Sequence, residues 1–204
     1  MSNFSNDADL LAYEPHVFTD LPFASQRRLR VTDAAVDGTT VTSETGGFTT
    51  VAAGQVVVIE ALAYAIASIT DDNTLELAAA PVELSTTTGL TLTVPTLAPQ
   101  AALVHDELLR AIGIDVDDAG ADITEQSIVS TQLMRRLEAI GTLAHAYAAA
   151  VALVGDNETI NTKADRYRQR YQRALNVAQV LIDADGDGLA DAWRSPGVGR
   201  MVRA

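Results

Sequence analysis

The residues whose types and spacing could do chemistry sit near the end of the chain, in the run Asp183-Ala-Asp-Gly-Asp-Gly-Leu-Ala-Asp191. Asp183, Asp185 and Asp187 occupy positions 1, 3 and 5 of a calcium-loop pattern, Gly188 supplies the sharp turn at position 6, Leu189 a carbonyl at 7, and Asp191 stands at 9. Alternate carboxylates of this kind can converge on one hard cation while the glycine lets the chain fold around it. Position 12, however, is Arg194, where a helix-loop-helix calcium site carries a bidentate Glu, and Pro196 and Gly197 follow in place of an exiting helix. Two readings stand: a calcium site, and a tight Asp-Gly turn joining the last helix to an extended arm. In the second, Arg194 or another copy of the chain neutralises the clustered carboxylates.

Other chemistry is thinly represented. The chain has no cysteine, which excludes disulfides, thiolate nucleophiles and thiolate metal sites. His16 lies in a Pro-flanked linker, and His105 and His145 on two different helices, without ligand spacing. His105-Asp106-Glu107 lacks the second His of a zinc-protease helix, and Gly46-Gly47 sits among strands with no Lys-Ser/Thr after it. The expectation is a protein that is not an enzyme.

The charge pattern is more informative than the total of −13. Residues 1–162 hold six Arg against twenty-two Asp and Glu, a balance of −16, whereas residues 163–204 hold eight Lys and Arg against five Asp, a balance of +3. An acidic body argues against a nucleic-acid coat. The asymmetry suggests head-to-tail contact between copies or an acidic partner for the basic end, or a basic helix facing an acidic one within the chain. No signal-peptide pattern opens the sequence, and the Ala144–Val154 run is too short to span a membrane. A soluble chain made in the cytoplasm is expected.

The elements that position these residues change texture along the chain. Residues 5–13 predict a short helix stopped by Pro15, followed by a linker through Pro22. From Arg27 to Val94, the runs RLRVTDA, TTVTS, GFTTV, QVVVIEA, YAIASI, TLELA and LTLTV predict strands of a small closed or nearly closed barrel. Helices follow: one over Ala101–Ile112, and one after a capping box at Asp122–Glu125, with a seam of Val129, Leu133, Leu137, Ile140, Ala144, Tyr147, Val151 and Val154. The last starts at Asp156-Asn157 and carries Ile160, Ala164, Tyr167, Tyr171, Ala174, Ala178 and Leu181. Beside that line run Lys163, Arg166, Arg170 and Arg173, a basic stripe that is either a solvated face or a contact with another protomer. The fold expected is α+β: an α-helical bundle with an inserted small β-barrel and an extended C-terminal arm. Its segments are 1–26 (helix and linker), 27–95 (barrel), 96–182 (bundle) and 183–204 (Asp/Gly turn and arm).

Four stretches taken together resemble the head–tail connector (adaptor, or head completion) proteins of tailed bacteriophages and gene-transfer particles. They are DADLLAYEP, GTTVTS with GFTTVAAGQVVVIEA, RRLEAIGTLAHAYAAAV, and DADGDGLADAWRSPGVGRMVR, which cover most of the chain. The resemblance implies a structural virion protein at the neck, made in the host cytoplasm. It implies a homo-oligomeric, dodecameric ring below the portal protein, above a tail or stopper protein, with DNA only as passing cargo and no membrane. It assigns portal docking to the arm from Ala192 to Arg203, with Trp193, Val198, Met201 and Val202 as apolar contacts and Arg194, Arg200 and Arg203 as partners of portal carboxylates. Lys163, Arg166, Arg170 and Arg173 then belong at a protomer contact, since a basic lumen would hold DNA back. The alternative is a calcium-dependent binding module built on Asp183, Asp185, Asp187, Asp191 and the barrel.

Overall fold

The computed structural model describes residues 3–21, 23–82, 84–115, 117–118, 121–154 and 157–197. The chain forms two compact units: residues 6–98, and residues 1–5 together with 99–204. Both helix and strand are present, and the strands of the first unit close into a barrel, as an α+β fold with a small barrel requires.

The first unit opens with α1 (Asp7–Tyr13), whose Asn6 cap accepts the Asp9 N–H while Asp9 accepts the Asn6 N–H. A short second helix, α2 (Val17–Asp20), lies where the sequence predicts only linker, and its Val17 and Phe18 are buried. The barrel strands are β1 (Arg27–Asp37), β2 (Thr40–Thr42), β3 (Val56–Ile59), β4 (Leu62–Ile69), β5 (Thr74–Leu77) and β6 (Leu90–Pro95). Their neighbour order is β1-β2-β5-β4-β3-β6, and β6 returns antiparallel to β1, so no strand edge is left open. The period-two pattern of β6 sends Leu90, Leu92 and Val94 inward to meet Val31, Ala34, Val57 and Leu75.

The GFTTV run is not a strand. Gly46 and Gly47 both take left-handed backbone, with φ of +70° and +97°, and Phe48–Thr50 make a 3₁₀ turn. The Asp72 carboxylate accepts Thr49 N–H at 3.3 Å and Thr49 Oγ1 at 2.5 Å, which holds the turn against the β4–β5 end. Phe48 fills the barrel interior, fully buried. The β3–β4 hairpin turns through Glu60-Ala61, both at positive φ although neither is glycine. The Glu60 carboxylate accepts the Ser85 N–H and hydroxyl and fixes that turn.

The second unit contains α3 (Ala98–Ala111), α4 (Thr131–Val154) and α5 (Glu158–Val177), then β7 (Val180–Ile182) and β8 (Ala192–Arg194). α4 is its central element: Leu137, Glu138, Ala139, Ile140, Thr142 and Leu143 are all at most 1% exposed, so the helix is enclosed on every face there. Gly141 makes this possible, since a Cβ on it would lie 2.6 Å from Val104 Cγ1 and 2.8 Å from the Tyr171 ring. The Asn157 cap accepts the Ile160 N–H and starts α5 where the sequence predicts.

Three expectations for this unit are corrected. The capping box lies two residues later than Asp122–Glu125: Thr124 and Ser127 form it around a 3₁₀ turn at Glu125–Ser127, and α4 starts only at Thr131. Val129 is therefore outside the helix and 41% exposed, and Met134 takes a buried place in the core. The boundary at 182/183 also fails. α5 ends at Val177, and residues 180–182 pair with 192–194 as a β-hairpin, so Leu181 belongs to a strand and not to the helical seam. No described helix is long and apolar enough to cross a membrane.

Candidate functional site

The Asp-rich run is the loop of the β7–β8 hairpin, whose strands pair Val180 with Arg194, Leu181 with Trp193, and Ile182 with Ala192. Asp-Gly steps permit this reversal, with Gly186 and Gly188 at φ of +82° and +87°. Asp183, Asp185 and Asp187 bring carboxylate oxygens within 4.8 Å of one another, close enough to hold a metal such as calcium. Asp191 is not part of that group, and its Oδ2 accepts the Ala184 N–H at 2.8 Å.

The same carboxylates also close the loop by themselves. Asp183 accepts Gly188 N–H at 2.8 Å and Gly186 N–H at 2.7 Å, and these bonds hold its pKa below the ordinary carboxylate value. Asp185 accepts Asp187 N–H and Asp187 accepts Leu189 N–H. Arg194, at the place of the missing ligand, turns the other way. Its Nη1 donates to the carbonyls of Ile112 at 2.7 Å and Gly113 at 3.0 Å, satisfying the C-terminal end of α3.

The start of the expected arm is thus folded. Ala192, Trp193 and Arg194 are strand residues, and Arg194 is engaged within its own unit. Trp193 stays 60% exposed. Val198, Arg200, Met201, Val202 and Arg203 lie outside the described residues.

The basic stripe on α5 divides in two. Lys163 leans into the α4–α5 seam, its Nζ 5.6 Å from the Tyr147 ring centroid, and Tyr147 stacks on Tyr167 at 5.6 Å with an interplanar angle of 2°. Arg170 is half-buried, whereas Arg166 and Arg173 are exposed, and Arg173 Nη2 donates to the Gln169 side-chain oxygen Oε1 at 3.3 Å. Elsewhere on the α4–α5 pair is an open groove of about 650 Å³, floored by Ala144, Ala148 and Ala164 and edged by His145, Asp165 and Arg168.

A buried cluster that sequence reasoning missed surrounds Glu138, in the N-terminal half of α4 and 0% exposed. Its Oε1 accepts Ser5 N–H and Ser5 Oγ–H, both at 2.7 Å; its Oε2 accepts Phe4 N–H at 3.1 Å and meets His105 Nδ1 at 2.9 Å. His105 also places Nε2 3.5 Å from Glu125 Oε2, and Phe4 packs on its ring at 4.7 Å. The Glu138 hydrogen bond raises the His105 pKa, burial opposes this, and the Glu138 and Glu125 charges add to the rise. The Ser5 hydroxyl is spent on the carboxylate and not on the imidazole, so this is a clamp on the N-terminal segment, not a nucleophile–base pair. Only the rarity of a Glu amid RRLEAIGTLAHAY, flanked by apolar residues, hints at it in the sequence.

Comparison with protein-family models, curated proteins and solved structures gave no match.

Proposed function

We propose that this chain is a structural assembly protein, the adaptor that joins the capsid portal to the tail of a bacteriophage or gene-transfer particle, and that it is not an enzyme. The observation that carries the reading is the segmental plan: a barrel unit of residues 6–98 interrupts a helical unit, which closes on a hairpin before a basic, apolar end. The four sequence stretches quoted above fall in that order along the same plan. In this reading copies assemble as a dodecameric ring at the neck, in contact with portal above and a tail or stopper protein below. The acidic body lets DNA pass because like charges repel.

The folded hairpin shifts the docking role toward the end of the chain. Arg194 serves α3, so Val198, Arg200, Met201, Val202 and Arg203 are the proposed portal contacts, together with exposed Trp193. Removing Val198–Ala204 leaves every element from α1 to β8 in place and is the appropriate test. The truncated chain is expected to keep its circular dichroism and lose co-sedimentation with portal. Undiminished portal binding contradicts the docking assignment. The calcium-dependent module is the second reading, favoured by the approach of Asp183, Asp185 and Asp187, and calcium titration calorimetry on the wild type and Asp185→Ala tests it.

A further inference from the structure

Strand alternation gives the hairpin an apolar outer face. Val129 N–H donates to Leu181 O at 3.0 Å and Ile128 bridges to Ile182, so residues 127–130 extend the β7–β8 pair. Ile128 and Ile182 point into the core at 4% and 0% exposure. Val129, Leu181 and Trp193 consequently form a row across the opposite face, at 41%, 41% and 60% exposure. The row ends beside the Asp183–Asp191 loop, where Asp185 and Asp187 are exposed and each uses one oxygen on the loop itself. An apolar row with an acidic border calls for a partner that is apolar and basic.

The chain carries such a surface itself. Arg166, Arg173 and Val177 lie near one line on α5, and Val177 is 80% exposed. We propose that the outer face of the hairpin docks the outer face of α5 from a second copy: Asp185 and Asp187 meet Arg166 and Arg173, and the row around Trp193 covers Val177. The proposal rests on the ring assembly above and names both halves of its protomer contact. Its test uses the purified chain alone, so the fate of the portal assay does not decide it.

Trp193 is the sole tryptophan and reports its own burial. Sedimentation velocity and tryptophan emission are followed together on the full chain across a concentration series at low salt. Association with a matching blue shift is expected. Arg166→Glu/Arg173→Glu, and separately Asp185→Arg/Asp187→Arg, should each weaken it at least about tenfold, and combining the four should restore most of it. A chain that stays monomeric with unshifted emission overturns the proposal. So does association that survives both double variants, or a combined variant no better than either.

Discussion

Replacing Glu138 by alanine tests the clamp that joins Phe4 and Ser5 to the N-terminal half of α4. The substitution strips the acceptor from four donors, Phe4 N–H, Ser5 N–H, Ser5 Oγ–H and His105 Nδ1–H, in a site with no exposure at the carboxylate. Removing one partner of a buried, hydrogen-bonded charge pair costs about 3–5 kcal/mol. Release of Ser5 returns about 1–2 kcal/mol of backbone entropy, while Phe4 stays packed on His105. A net loss of about 2–3 kcal/mol is expected. Trp193 stands in the same compact unit and supplies the signal in a urea titration. With a mid-range urea slope of about 2 kcal/mol per molar, the midpoint should fall by about 1–1.5 M. Glu138→Gln keeps one acceptor oxygen but turns an amide NH₂ toward donors, and should fall between, at about 1–2 kcal/mol. A Glu138→Ala midpoint within about 0.3 M of wild type would refute the clamp.

The pH dependence of that unit follows from the same cluster. His105 has a folded pKa raised above its ordinary value, so its contribution is full below about pH 6.5 and is lost as pH rises through the raised value. Urea midpoints on Trp193 emission should decline over that window in wild type and flatten in Glu138→Gln; equal slopes would remove His105 as the cause. Gly141→Ala should destabilise by up to about 2 kcal/mol, because overpacking of about 1–3 kcal/mol against Val104 and Tyr171 outweighs a helix-propensity gain of about 1 kcal/mol; thermal unfolding with a higher midpoint would contradict the close three-helix approach. In calcium calorimetry, the carboxylates already closing the loop and the loss of position 12 to Arg194 lead us to expect no saturable heat up to about 1 mM; a saturable heat abolished by Asp185→Ala would favour the calcium module.

The parts of the fold legible in the sequence were those whose periodicity was undisturbed. Leu90-Thr-Leu-Thr-Val94 alternates and is β6; Asn157 followed by Glu158 is the cap and first turn of α5. What was hidden was set by partners far along the chain. Glu138 reads as a solvent residue on its helix because its partners, Phe4 and Ser5, are more than a hundred positions away. Leu181 continues the spacing of the α5 seam, and this masked a strand that the Asp-Gly turn between Val-Leu-Ile and Ala-Trp-Arg had signalled. GFTTV has strand composition, but two left-handed glycines and the Asp72 carboxylate make it a turn. At the candidate site, the approach of Asp183, Asp185 and Asp187 was legible from spacing alone, whereas the turning of Arg194 toward α3 depends on Ile112 and Gly113 and was not.

The central claim, that this chain is a neck protein, is tested most directly by gold labelling of the chain in purified particles viewed by electron microscopy. The account predicts label at the junction of head and tail. Label on the capsid shell, along the tail or at its tip, or particles without label, would contradict it.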